Sequence, residues 1–109
     1  MTDRELLEKA AKAAGIEPTE YQSEDTDNLW IHVGESGVAD WNPLINDGDA
    51  LRLAVQMSIQ VRPGPYDCLA TSNGSVFVAA AEPWGEDPYV DARRAIVRAA
   101  ASLGEQHDR

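Results

Sequence analysis

Residues 41–54 read WNPLINDGDALRLA, and the reading of this stretch decides the fold. Pro43 disfavours a helical backbone at Asn42, because its ring crowds the preceding residue, so the chain turns there. From Ala50 onward, Ala50, Leu53, Ala54 and Met57 recur at i, i+3, i+4 and i+7, and Leu51 and Val55 widen that face. This period predicts a helix over 48–58. Asn46 or Asp47 is the expected N-cap, since a short side-chain oxygen accepts an orphan backbone N–H. Asp47 and Asp49 then lie where the helix dipole favours negative charge. The competing reading of NDGD is a calcium loop, which needs oxygen ligands at positions 1, 3 and 5, Gly at 6 and Glu at 12. Counted from Asp40, Leu44 falls at position 5, Ile45 at 6 and Leu51 at 12; counted from Asp47, Arg52 falls at 6. Neither register holds a cation, so a capped helix and no metal is the expectation.

Toward the N-terminus, LWIHV (29–33) and VADW (38–41) flank the turn GESG. Leu29, Ile31 and Val33 fall on one side and Trp30 and His32 on the other, as in a hairpin strand. Residues 17–28, EPTEYQSEDTDN, are polar and read as a loop. Residues 3–14 carry a helical stripe of Leu6, Leu7, Ala10, Ala13 and Ala14. Thr2 and Glu5 stand at capping-box spacing, and Gly15 suits a left-handed terminus.

Toward the C-terminus, Ile59 and Val61 suggest a short extra strand stopped by RPGP. DCLAT and SVFVAAA flank SNGS, and Asn-Gly is a hairpin signal because both residues tolerate positive φ. In the second arm Val76, Val78 and Ala80 face one way, Phe77, Ala79 and Ala81 the other. Two apolar faces predict a central strand covered on both sides. Asp87 and Pro88 open a last helix over 88–103, with Ala92, Ala95, Ile96, Ala99, Ala100 and Leu103 as its stripe. Gly104 is placed to end it. The expected fold is α+β, one domain over 1–109, in the order α-β-β-α-β-β-α. Its mainly antiparallel sheet of about four strands is sandwiched between helices.

Nine Lys and Arg face nineteen Asp and Glu, for a net charge of −10. Between Lys12 and Arg52 there is no Lys or Arg, while Glu17, Glu20, Glu24, Asp25, Asp27, Glu35, Asp40, Asp47 and Asp49 all fall there. Such a field repels nucleic-acid phosphates and attracts basic partners, so a protein partner and no nucleic acid is expected. No apolar run reaches the roughly 18 residues of a membrane span, and the charged N-terminus has no signal-peptide core. With Cys68 as the single cysteine, no internal disulfide can form. A protein of the bacterial cytoplasm, away from any membrane, is the expectation.

Three segments, DRELLEKAAKAAGI (3–16), WNPLINDGDALRLAV (41–55) and ARRAIVRAAASLGE (92–105), resemble in sequence and order the phage ABA sandwich domain family of small phage and prophage proteins. Residues 17–28 and 62–87 carry no part of that likeness. The resemblance implies a helix–sheet–helix sandwich and a phage or prophage origin. It implies no catalytic residues.

The chemistry-bearing residues support the same class. Cys68 with His32 or His107 is the only thiol–imidazole pairing available, and Cys68 lies in a strand beside Leu69, where a free cysteine is commonly a small buried hydrophobe. GESG and SNGS lead into no helix and lack the phosphate-loop lysine. Catalytic residues, cofactors and metals are therefore expected to be none. Trp30 and Trp41 suit packing in the hairpin or core. Trp84, in the acid-flanked loop EPWGED, suits an exposed interface anchor. Arg93, Arg94 and Arg98 lie off the apolar stripe, as a solvated face, with Asp91 and Arg94 at i, i+3, or as a basic patch for self-association into a homodimer. Together these predict a non-enzymatic protein that binds a host protein through Glu17, Glu20, Glu24, Asp25, Asp27, Trp84 and Glu86. Inhibition of a nucleic-acid-handling or defence machine of the anti-CRISPR kind, with carboxylates in place of phosphates, is its concrete form. The alternative is a small-molecule-binding module or sponge with a pocket between sheet and helices, lined by Trp30 or Trp41.

Overall fold

The structure is a computed structural model that describes residues 2–22, 26–72 and 78–107. Helix α1 spans Asp3–Ala13, β1 Leu29–Val33, β2 Gly37–Trp41, α2 Asp47–Gln56, β3 Ile59–Pro63, β4 Asp67–Ser72, β5 Ala79–Pro83 and α3 Pro88–His107. The local signals explain most of these boundaries. The Thr2 hydroxyl accepts the Glu5 N–H at 3.1 Å, and Gly15 follows α1 at φ 72°. Asn46, rather than Asp47, caps α2, accepting the Asp49 N–H at 2.9 Å.

The class is α+β, but the arrangement differs from one four-stranded sandwich. The strands form two separate antiparallel sheets, β1–β2 and β3–β4–β5. The chain turns from α2 into β3 through Ser58, whose φ of 55° is left-handed. The run at 59–63 is thus a full strand, and the order becomes α-β-β-α-β-β-β-α. Strand β4, not β5, lies in the middle of the second sheet. The expected hairpin tip SNGS, with Val76 and Phe77, falls mostly on 73–77, outside the described residues.

Cover also differs from expectation. On one face of the three-stranded sheet Ile59, Cys68, Ala70, Ser72, Val78 and Ala80 are buried beneath α3. On the other, Gln60, Arg62, Ala79 and Ala81 are exposed, and Leu69 and Thr71 half-buried. Alanine is small enough to tolerate water there, so an apolar alternation in β5 did not require a second layer. The second layer packs on α3 instead. Ala95, Ile96, Ala99 and Leu103 are buried on one side of this helix, and Val97, Ala101 and Gly104 are buried on the other. Helix α1 packs on that second side, so α3 lies between α1 and the sheet. Gly104 does not end α3. The helix continues to His107, and a Cβ on Gly104 would lie 2.9 Å from the Ala13 Cβ.

The three arginines of α3 are not a free basic patch: each reaches a partner on another element, although Arg98 stays exposed. Arg93 donates from Nε to the Leu44 carbonyl at 2.8 Å and pairs with Asp47 at 2.6 Å. Arg94 pairs with Asp3 on α1, and Arg98 with Glu82 on β5. Asp91, placed in sequence to pair with Arg94, instead accepts the Gly85 N–H. Each arginine thus ties α3 to a different neighbour: the entry to α2, the start of α1 and the edge of the sheet.

Candidate functional site

NDGD is structural. Asn42, 4% exposed, donates its N–H to Asp49 Oδ2 at 3.0 Å, and its side-chain oxygen accepts the Leu44 N–H. The other Asp49 oxygen pairs with Arg52 at 2.7 Å. Both Asp49 oxygens therefore serve the turn before α2 and the helix itself. Among the described residues, no group of three or more His, Cys, Asp or Glu side chains is placed to hold a metal ion.

Cys68 is buried on β4, and burial pushes its thiol up from the ordinary value, with the carboxylates of Asp67 and Asp91 adding to the effect. His32 is exposed on β1, and the side chain of His107 lies outside the described residues. A thiol held protonated is a poor nucleophile. The folded chain keeps this proton to a higher pH than the unfolded chain. Stability is thus insensitive to Cys68 below the ordinary thiol pKa of 9.0 and falls as pH rises above it. Iodoacetamide near neutral pH is expected to leave native Cys68 unlabelled and to label it fully in denaturant, read by intact mass. Rapid labelling of the native protein would contradict this burial.

The first sheet carries the surface most suited to a ligand. Its core side buries Leu29, Ile31 and Trp41. Strand alternation puts Trp30 and His32 of β1 and Val38 and Asp40 of β2 on the opposite side, with Trp30 directly across from Asp40 and His32 across from Val38. Thr19, Tyr21, Trp30 and Val38 line an apolar depression of about 400 Å³. Tyr21 is 85% exposed and Val38 60%, whereas Trp30 is half-buried. The Gln22 amide adds to the main-chain bonds that fix the loop to β1. It accepts the Trp30 N–H at 2.8 Å and donates to the Trp30 carbonyl at 2.9 Å, as another strand would. No hydrophobic pattern announces this contact, because it comes from one side chain in a polar segment.

The expected site residues that the structure describes divide into two groups. Glu17, Glu20 and Asp27 are exposed in the loop beside β1. Glu24 and Asp25 lie outside the described residues. Trp84 and Glu86 follow β5 on the other sheet. Trp84 is not a free anchor: it packs half-buried against the core, and its indole N–H donates to the Gly64 carbonyl at 2.8 Å. It latches the β3–β4 turn to the end of β5. On the first sheet the exposed aromatic is Tyr21, beside the half-buried Trp30, while Tyr66 and Tyr89 are exposed elsewhere on the chain. Trp41 is in the core, on the opposite side of the sheet from Trp30, so the two rings do not line a common cavity.

Of the nine acids in the cation-free interval, Asp47 and Asp49 are paired with arginines. Glu17, Glu20, Asp27, Glu35 and Asp40 are exposed in the first sheet and its loops. No helix of the described residues is long and apolar enough to cross a membrane. Compared with protein-family models, with curated proteins and with solved structures, the chain matches none of them.

Proposed function

We propose that this chain is a non-enzymatic binding protein of phage or prophage origin that acts in the bacterial cytoplasm. It docks the outer face of its first sheet on a basic surface of a host protein. The observation that carries this reading is the exposed Tyr21–Trp30–Val38 depression, set among acids in a stretch without Lys or Arg. An aromatic centre with a charged rim is the anatomy of a protein interface. The rim carboxylates steer a basic partner and weaken with salt. A host surface built to bind phosphates has the matching chemistry, so inhibition of a nucleic-acid-handling or defence machine is the concrete form of the proposal. The likeness of residues 3–16, 41–55 and 92–105 to the phage ABA sandwich domain supports the origin and adds nothing about the partner.

The test compares three tagged proteins in bacterial lysate at low salt: wild type, Trp30→Ser, and a variant with Glu17, Glu20, Glu24, Asp25 and Asp27 neutralised to amides. Captured proteins are quantified by mass spectrometry across a salt gradient. The wild type is expected to hold one basic host complex that salt releases. Trp30→Ser is expected to weaken capture at least tenfold, as loss of a central anchor of about 2 kcal/mol or more does. The neutralised variant is expected to release at lower salt. Equal capture by all three proteins would sink the proposal.

A further inference from the structure

The two edges of the first sheet are treated differently by the rest of the chain. On the β1 side, Thr19 donates its N–H to the Trp30 carbonyl at 2.9 Å, and His32 donates its N–H to the Glu17 carbonyl at 3.0 Å. The Gln22 amide completes the closure at Trp30. These bonds also fix the phase of the hairpin. The main-chain groups of Trp30 and His32 point away from β2, so in an antiparallel pair those of their partners, Asp40 and Val38, point away from β1. Nothing among the described residues meets them there: β2 pairs with β1 alone, and no other helix or strand packs extensively on it. Natural proteins usually blunt such an edge with charged side chains, lysine above all, with proline or with a covering segment, and the one such device on β2 is the Asp40 carboxylate. Here the edge residues are Val38 and Asp40, on the same face as Trp30.

We infer that the free edge of β2 takes an extended basic segment of the partner as an added strand, hydrogen-bonded to the main chain of Val38 and Asp40. This inference rests on the docking reading above and specifies how the partner is held. A strand added at an open edge gains affinity from main-chain bonds and specificity from alternate side chains. The residue opposite Asp40 falls on the outer face, where a Lys or Arg makes a favourable cross-strand pair. The residue opposite Val38 falls on the same face beside the apolar depression, which suits an aliphatic side chain. The absence of any Lys or Arg between residues 12 and 52 selects a basic strand over an acidic one.

The probe is a blocked decapeptide of alternating Thr and Lys, with an alternating Thr and Glu decapeptide as its counterpart, added in excess to the full ¹⁵N-labelled chain. Amide exchange and chemical shifts are read by NMR. The Thr–Lys peptide is expected to slow exchange of the Val38 and Asp40 amides at least tenfold, and the Thr–Glu peptide to leave them unchanged. Val38→Pro deletes one outward N–H without touching a bond to β1, and is expected to abolish the protection. Asp40→Lys, which keeps the edge intact, is expected to reverse the preference between the two peptides. Movement of the Tyr21 and Trp30 signals with no protection at Val38 or Asp40 would overturn strand addition while leaving docking on this face standing. No response of the hairpin to either peptide would also overturn it, and the lysate comparison of Trp30→Ser then judges the docking reading separately.

Discussion

Replacing Leu53 with alanine is expected to lower the unfolding free energy by about 2–5 kcal/mol. Leu53 is 1% exposed on α2, which packs against α3 and β3. Truncation removes the transfer free energy of the lost carbons and leaves a cavity that the surrounding helices close only in part. Against a total stability of about 5–15 kcal/mol for a small domain, this is a large share. Leu51, two residues earlier on the same helix, is 66% exposed and is the internal control. Leu51→Ala is expected to change stability by no more than about 0.5 kcal/mol. Urea unfolding followed by circular dichroism separates the two, with an unchanged slope and a lowered midpoint for Leu53→Ala. Equal midpoints for the two variants would mean that α2 does not bury the face assigned to it.

Gly104→Val is expected to destabilise the protein by about 3 kcal/mol, the upper end of ordinary overpacking. Helix propensity alone argues the other way, since glycine inside a helix is about 1 kcal/mol worse than alanine. The contact decides the sign. A Cβ at position 104 would lie 2.9 Å from the Ala13 Cβ and 3.3 Å from the Lys9 carbonyl oxygen, neither at the end of a flexible side chain. Gly104→Ala is expected to fall between wild type and Gly104→Val. Combining it with Ala13→Gly is expected to recover part of the loss, with an interaction energy of about 0.5–3 kcal/mol in a double-mutant cycle. Additive effects, or a gain in stability from Gly104→Ala, would remove the close approach of α1 and α3 from the account.

How far the sequence could be read depends on how local each signal is. The N-caps at Thr2 and Asn46, the turn at Gly15 and the hairpin at 29–41 were legible, because each rests on residues within a few positions of one another. Trp84 misled, because its loop neighbours are acidic while its indole partner, the Gly64 carbonyl, is twenty residues away. The α3 arginines misled for the same reason, since their partners Asp3, Asp47 and Glu82 lie on other elements. Gly104 carried the local mark of a helix end and had a long-range cause. The candidate surface was half legible: the acids are a fact of composition, but the placing of Tyr21 and the half-buried Trp30 together on the outer face of the first sheet is not.

The sequence by itself determined the α+β class, the position of nearly every helix and strand, and the one-signed charge between residues 12 and 52. Periodicity, caps and charge are properties of neighbouring residues and need no tertiary context. Only the tertiary structure decided that the strands divide into two sheets and that α3 is buried between α1 and one of them. It alone also decided that the edge at Glu17–Gln22 is closed while, among the described residues, the edge at Val38 and Asp40 is left open. Those outcomes depend on which faces meet across the chain, and a two-residue repeat looks the same in a central, an edge and a half-covered strand.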